Sequence, residues 1–384
     1  MANGRIENRM IVKNAISLFS GGFSMAKRIS AFLGANTPKG FVSLFDELYN
    51  PYTTKNAYII KGGPGSGKST FMKKVGTALH LKGLDTGWVY CSSDPNSLDA
   101  LYCDEIGFSI ADGTSPHVLE PKFPGCGENI INTGEFWDED MLKQKAEDIR
   151  SLTLENSLCH RKSAGYLGAA GNIDKEIRMI FSPYINEEKI NSFCVRFAMR
   201  ETPKKKNSFP GRKRRMFLGA ITPSGRIFLD DTVHTLCTRV IGIEDEYSAV
   251  SGLVCERIGD LAVKNGYDVI FCSCPLRPKE CEHLIIPEAG LCIMTVKTAH
   301  KTEIACDRLI HADRFLHEGA RSNRSLLRFD LKLKNLLVDE SINKLRQAKA
   351  IHDELEKIYV EAMDFAALSS YCDRFTEKLL TKAK

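Results

Sequence analysis

The chain repeats a long segment of its own sequence. FLGANTPKGFVSLFDE, residues 32–47, returns as FLGAITPSGRIFLDDT 185 residues later. Farther along, residues 167–197 are echoed by residues 345–375 at a constant separation of 178 residues. Self-similarity at a fixed long period marks repeated folding units. We therefore interpret the chain as a duplicated domain.

The first copy contains a glycine-rich loop with a specific spacing. In YIIKGGPGSGKSTFMKKVG, residues 58–76, three apolar residues lead into the loop and a helical pattern follows it. The spacing G-x-x-x-x-G-K-[ST] is that of a phosphate-binding P-loop. Glycines let backbone amides approach an anion, and the next helix presents its positive dipole end. A plain strand-to-helix connector is the alternative, but the order of strand, loop and helix favours a nucleoside triphosphate site.

Each part of this loop has an expected role. We expect Lys68 to reach the β- and γ-phosphates of ATP, and the Ser69 hydroxyl to ligate Mg²⁺. The expected nucleotide-binding residues are Gly62, Gly63, Pro64, Gly65, Ser66, Gly67, Lys68, Ser69 and Thr70.

The second copy lacks these residue types. A separation of 183 residues, which joins Gly76 to Gly259, places Gly62 on Asp245 and Lys68 on Ser251. The phosphate-binding lysine is gone, and carboxylates in the loop would repel a triphosphate. The sequence therefore predicts one working site and one degenerate copy.

Strands alternate with helices in both copies, which predicts an α/β fold. Each half is expected to be a P-loop NTPase-like domain, with a mostly parallel sheet flanked by helices and a helical tail. The expected boundaries are a helical N-terminal extension (1–30), the active domain (31–200), a basic linker (201–215) and the degenerate domain (216–384).

Four segments together resemble a family of bacterial tandem P-loop proteins. They are FLGANTPKGFVSLFDE, IIKGGPGSGKSTFMKKVG, YCSSDPNSLDAL and IADGTSPHVLEP. The resemblance covers residues 32–375, and members are usually labelled only as ATPases or nucleotide-kinase-like proteins. It implies a fold and ATP binding but no reaction. Members have a P-loop in each half, and this chain departs from them in the second.

Phosphoryl transfer also needs an acid near the metal. Asp112 ends the apolar run GFSIAD and is the expected metal-binding and catalytic carboxylate, beside Lys68. Its counterpart in the second copy is Thr295, so both losses coincide. Asp94, after the second strand, is the rival catalytic acid, because nucleotide kinases often place an acid there. Either aspartate could instead cap a turn or a helix.

Other polar residues carry weaker signals. His117 recurs as His300 in the copy that lost its phosphate-handling residues, which favours a structural hydrogen bond over proton transfer. Three cysteines and a histidine in the second copy match no paired zinc-ligand spacing: Cys272, Cys274, Cys281 and His283.

Composition limits the remaining classes. The 384 residues are 43% hydrophobic and 26% charged, and no apolar run has the ~18 residues of a membrane span. Thirteen scattered cysteines in so large a chain indicate reduced thiols, and hence a cytoplasmic protein. The basic stretch at 201–216 is interpreted as a solvated linker, with a nucleic-acid contact as the alternative. The oligomeric state is left open.

Two functions remain open from the sequence. The first is an enzyme that hydrolyses ATP or transfers its γ-phosphate to a small acceptor. The second is a nucleotide-switched protein with slow turnover, in which ATP sets the packing between the halves. A small-molecule or protein partner is expected in either case.

Overall fold

The computed structural model describes residues 26–116, 118–206, 208–298, 302–320 and 324–382. Most of the expected N-terminal extension, together with His117 and His300, lies outside these residues. The described chain is α/β, with two six-stranded, mostly parallel sheets flanked by helices. This confirms the expected architecture at that level. Among the described residues, no helix joins enough length to enough apolar character to cross a membrane.

The first half contains the following strands and helices: β1 (Arg28–Ala31), β2 (Gly34–Thr37), β3 (Gly40–Ser43), β4 (Asn56–Lys61), α1 (Lys68–Leu81), β5 (Thr86–Tyr90), β6 (Leu98–Cys103), β7 (Phe108–Asp112), β8 (Glu128–Asn132), α2 (Glu139–Gln144), α3 (Ala146–Phe181) and α4 (Glu187–Glu201). The second half contains these: β9 (Lys213–Met216), β10 (Gly219–Thr222), β11 (Gly225–Phe228), α5 (Asp230–Leu236), β12 (Arg239–Glu244), α6 (Ser251–Lys264), β13 (Val269–Cys274), β14 (Arg277–Ile286), β15 (Leu291–Val296), β16 (Arg308–His311), α7 (Arg324–Ala362) and α8 (Phe365–Lys382).

The two sheets have the same topology. The first has the order β1-β5-β6-β7-β4-β8, and the second has the equivalent order β9-β13-β14-β15-β12-β16. In each, one strand (β6 or β14) runs antiparallel to both neighbours, and the other pairs are parallel. The repeat seen in the sequence therefore extends to the whole fold.

Strand register fixes the correspondence between the loops. Ile60 on β4 lies opposite Asp112, and Ile243 on β12 lies opposite Thr295, so the 183-residue separation holds on both strands. Helices α1 and α6 begin at Lys68 and Ser251, at the same separation. The alignment needs no gap between the strand and the helix, and Ser251 does occupy the position of Lys68.

The two halves exchange their helical tails. Helix α4 of the first half buries Ile190, Cys194 and Phe197 in the core of the second sheet. Helix α8 of the second half packs on α1, where the Phe71 and Phe375 rings lie 5.3 Å apart. The boundaries 31–200 and 216–384 left each tail on its own half, and the packing crosses them. The physical reason is the 36 residues of α3 and the 39 of α7, each long enough at ~1.5 Å per residue to reach the opposite half.

Equivalent residues of the two halves also meet each other. Phe32 and Phe217 exchange two backbone hydrogen bonds, of 3.0 and 2.9 Å. The hydroxyl oxygens of Ser163 on α3 and Ser341 on α7 lie 2.7 Å apart, and both side chains are buried. A surface that contacts its own copy is the signature of a two-fold axis. The chain therefore resembles a two-fold dimer joined into one polypeptide.

The segment expected to be a solvated linker is partly built into the second sheet. Lys213–Met216 form β9, which pairs in parallel with β13. Basic side chains of the segment pair with carboxylates: Lys205 with Glu288, Arg212 with Asp268, Lys213 with Asp260 and Arg214 with Asp104. These pairs attach the segment to both halves.

Candidate functional site

The glycine loop (residues 62–70) connects β4 to α1 at the carboxyl end of the first sheet. Gly65 and Gly67 have φ values of 67° and 80°, in the left-handed region that glycine adopts without strain. Helix α1 begins immediately afterwards, at Lys68. Left-handed residues in such a turn make concavities of inward-facing amides, and a helix N-terminus adds partial positive charge. The loop therefore has the geometry of an anion cradle.

Lys68 is held over this cradle. Its ammonium group donates to the carbonyl oxygens of Gly62 and Gly63, at 3.1 and 2.8 Å. It also lies 3.6 Å from Oδ2 of Asp112, and both side chains are largely buried. Sequence reasoning placed Lys68 and Asp112 in one site, and the fold brings them together.

Asp112 and Asp94 occupy different surroundings. Asp112 ends β7, the neighbour of β4, and its Oδ1 accepts hydrogen bonds from the amide and hydroxyl of Thr114, at 2.9 and 2.6 Å. Asp94 follows β5, two strands farther away, and caps its own turn by accepting from the Asn96 amide and the Ser97 hydroxyl. Both aspartates thus cap a turn, and of the two it is Asp112 that also lies beside Lys68.

Hydroxyl groups shape the inside of the loop. Ser66 is buried, and its hydroxyl donates to the Gly63 carbonyl at 2.8 Å. Thr133, at the end of β8, places its Oγ1 2.9 Å from Ser66 Oγ. A Cβ on Gly62 would lie 1.9 Å from that Thr133 oxygen, so only glycine fits there. Sequence reasoning missed Thr133, since nothing in its neighbourhood marks it as a loop contact.

The other expected loop residues have simpler placements. Ser69 lies in the first turn of α1, and its Oγ accepts the Leu98 amide at 2.9 Å. Pro64 is half-buried within the loop, and Thr70 is exposed on the outer side of the helix.

The exchanged tail of the second half covers the glycine loop. A Cβ on Gly63 would lie 2.6 Å from the Tyr359 ring, and one on Gly67 would lie 2.7 Å from Leu368. The Gly65 backbone lies against α7 at Glu356, whose carboxylate is close to the Gly65 amide. A hydrogen bond with His352 is the main reason why the pKa of Glu356 lies below its ordinary value. These contacts join residues nearly 300 positions apart, so the helical pattern of α7 could not reveal them.

The equivalent loop in the second half is filled by its own side chain. Asp245 stands at the position of Gly62 and is buried. Its carboxylate accepts hydrogen bonds from the amides of Ala249, Val250 and Ser251, at 3.0, 2.9 and 2.8 Å. Amides at these positions are the ones that a P-loop offers to phosphate. In the second half they are satisfied internally.

Comparison with known proteins adds no relative. No family model, no curated protein and no solved structure matches the chain. Among the described residues, no group of three or more His, Cys, Asp or Glu side chains could hold a metal ion.

Proposed function

We propose that the chain binds one ATP–Mg²⁺, at the glycine loop of the first half, and hydrolyses ATP or transfers its γ-phosphate to a small acceptor. The contrast between the two loops carries this proposal. One has glycine at position 62 and a lysine that contacts the loop, and in the other the Asp245 carboxylate accepts hydrogen bonds from the equivalent amides. The quoted segments further support membership of the tandem P-loop family, with the second loop degenerate.

The residues at the loop suit a magnesium nucleotide. Ser69 and Asp112 offer a hydroxyl and a carboxylate, and oxygen is the ligand that Mg²⁺ prefers. When bound, Mg²⁺ would supply charge neutralisation at the β- and γ-phosphate oxygens. Lys68 would add a second positive charge there, and the loop amides would orient the phosphates. Asp112, 3.6 Å from the Lys68 ammonium, would position both the lysine and the metal ligands.

Calorimetric titration with ATP and MgCl₂ tests the proposal, with a stoichiometry of one site per chain expected. Lys68→Ala should weaken binding by ~1.5–3 kcal/mol, because a charge-assisted contact to phosphate is lost. Lys82→Ala is the matched control, since Lys82 is exposed at the far end of the same helix. Two equivalent sites per chain, or unchanged binding by Lys68→Ala, would contradict the proposal. Phosphate release with and without a panel of nucleosides and metabolites separates hydrolysis from transfer.

One observation favours a second candidate, a nucleotide-switched protein. The loop that would bind ATP already contacts α7 and α8 of the other half, through Glu356, Tyr359 and Leu368. ATP would change the packing of the halves only if it interacts differently with two arrangements of this tail. Slow turnover that a protein partner stimulates would favour this candidate over a metabolic kinase.

A further inference from the structure

A second cleft lies in the other half of the molecule. Its cavity volume is about 100 Å³, several times the ~10–15 Å³ that one bound water needs. It opens beside the end of β13 and is closed by the β10–β11 hairpin and the helices α3 and α7. Part of its wall is apolar and consists of Ile221, Phe228, Leu276 and Val338.

The polar part of the wall is a cluster of buried charges. Asp174 lies 2.6 Å from Arg277 and 3.1 Å from Lys334. Glu282 lies 2.5 Å from Lys297 and 3.7 Å from Arg277. All five side chains are at most 10% exposed. Burial works against ionisation of Asp174, but the adjacent cations, Arg277 first, hold its pKa below the ordinary value.

The cluster holds three cations and two carboxylates. Among the described residues, two further carboxylates lie around the cluster, and each forms an ion pair with another arginine. Arg178 donates to both oxygens of Glu280, at 3.0 and 2.9 Å, and Arg226 lies 3.3 Å from Asp339. Glu280 also lies 3.1 Å from Arg277, and Arg178 lies 3.4 Å from Asp174, so both belong to the same network. Counted over the residues that the structure describes, this network has five cations and four carboxylates, and a buried, unbalanced charge is unfavourable.

This charge pattern belongs to the second half alone. The 183-residue separation places Asp94 at the position of Arg277 and Thr114 at the position of Lys297. The cleft is therefore not a remnant of the phosphate loop. In open α/β sheets, ligands bind outside the carboxyl ends of the strands, which is where β13 ends.

We propose that this cleft binds a small organic anion, with one carboxylate or phosphate group on an apolar body. The acidic group would supply the missing negative charge beside Lys334 and Lys297. The apolar body would lie against Phe228, Ile221 and Val338. The site is independent of the glycine loop.

The test is thermal unfolding of the full chain with the Lys68→Ala substitution. This substitution keeps binding of the probe at the glycine loop from contributing to the shift in Tm. Benzoate and phenyl phosphate are the two probes, and at least one should raise Tm as its concentration increases. Lys334→Met should weaken binding of the probe about tenfold or more, because a charge-assisted contact is lost. Lys332→Met is the control, since Lys332 is exposed on the same helix.

A Tm shift with benzoate alone identifies a carboxylate ligand and one with phenyl phosphate alone a phosphate ligand, and both support the site. If Lys334→Met does not fold, Lys297→Met tests the other lysine of the cleft, and the same loss of probe binding is expected. No shift with either probe, or an equal shift in the lysine variants and in Lys332→Met, would overturn the proposal.

Discussion

The two halves share one fold, but the loops between β4 and α1 and between β12 and α6 carry different residues and make different contacts. In the first half, glycine stands at position 62 and Lys68 donates to the carbonyl oxygens of the loop. In the second, the Asp245 carboxylate takes three equivalent amides. Sheet order, hairpins and tails are the same in both. The residues that build this fold are therefore separate from those that would handle phosphate, so one set can change while the other persists.

The halves also differ in the charge placed after equivalent strands. Asp94 in the first half lies 3.5 Å from Lys349 on α7. Its equivalent, Arg277, lies 2.6 Å from Asp174 on α3. Both contacts are ion pairs between the end of a strand and a long helix, with the acid on the sheet in the first half and on the helix in the second. The positive charge of the second cleft comes from the additional lysines, Lys297 and Lys334.

The largest expected effect comes from separating the halves. Residues 26–206 expressed alone should fail to reach the native fold, because the α1 face that α8 covers would be exposed. Residues 207–384 alone should also fail to reach the native fold, because the α6 face that α4 covers would be exposed. Co-expression of the two fragments should restore a 1:1 complex, which size-exclusion chromatography and near-ultraviolet circular dichroism would detect.

The co-expressed pair serves as the control for cutting the chain. A first fragment that is monomeric, with native circular dichroism and cooperative unfolding, would show that the tail exchange is not needed for folding.

The next largest effect should separate the two candidate acids of the first half. Asp112→Asn should slow turnover by on the order of 10²-fold, the scale on which loss of one electrostatic stabiliser slows an enzyme. It should leave metal-free nucleotide binding nearly unchanged. Asp94→Asn should have the smaller effect on turnover, since Asp94 lies beside Lys349 and it is Asp112 that lies beside Lys68. Steady-state phosphate release checks both, and the reverse order would assign the site to Asp94.

Much of this fold could be predicted from the sequence. The spacing from Gly62 to Ser69 located the loop, and the 183-residue repeat located the equivalent loop of the second half. The antiparallel strand β6 could not be found from alternation of strands and helices alone. Its cause is the short connection at residues 91–97, because a parallel connection needs a crossover of a dozen or more residues.

The tail exchange could not be predicted from the sequence for a different reason. In a duplicated chain, α4 and α8 have similar apolar faces, and each fits the helix of either half. Periodicity identifies the buried face of a tail but not which of two equivalent surfaces it covers. For the same reason, the contact of Glu356 with the glycine loop had no sequence signal.

A smaller effect is expected from opening the second loop. Asp245→Asn removes the charge from a carboxylate that accepts three buried amides, which should cost about 1–3 kcal/mol of unfolding free energy. Urea unfolding measures it, with Glu188→Gln, exposed on α4, as the control for loss of charge. The variant should still bind no second ATP, because Ser251 replaces the lysine. If calorimetry shows a second ATP site in this variant, Asp245 alone prevents the second loop from binding ATP.

The smallest expected effect concerns the contact between tail and glycine loop. The pKa of Glu356 lies below its ordinary value, so its carboxylate is ionised at neutral pH, next to the Gly65 amide that a phosphate would use. A negative charge there opposes a triphosphate, and Glu356→Gln should tighten ATP binding a few-fold, within ~1 kcal/mol. Glu354→Gln, exposed on the same helix, should change nothing. By reciprocity of coupled sites, ATP should in turn weaken the tail contact of the wild-type chain, seen as faster hydrogen exchange around Glu356. Equal affinity in both variants, with unchanged exchange, would mean that the tail covers the loop without regulating it.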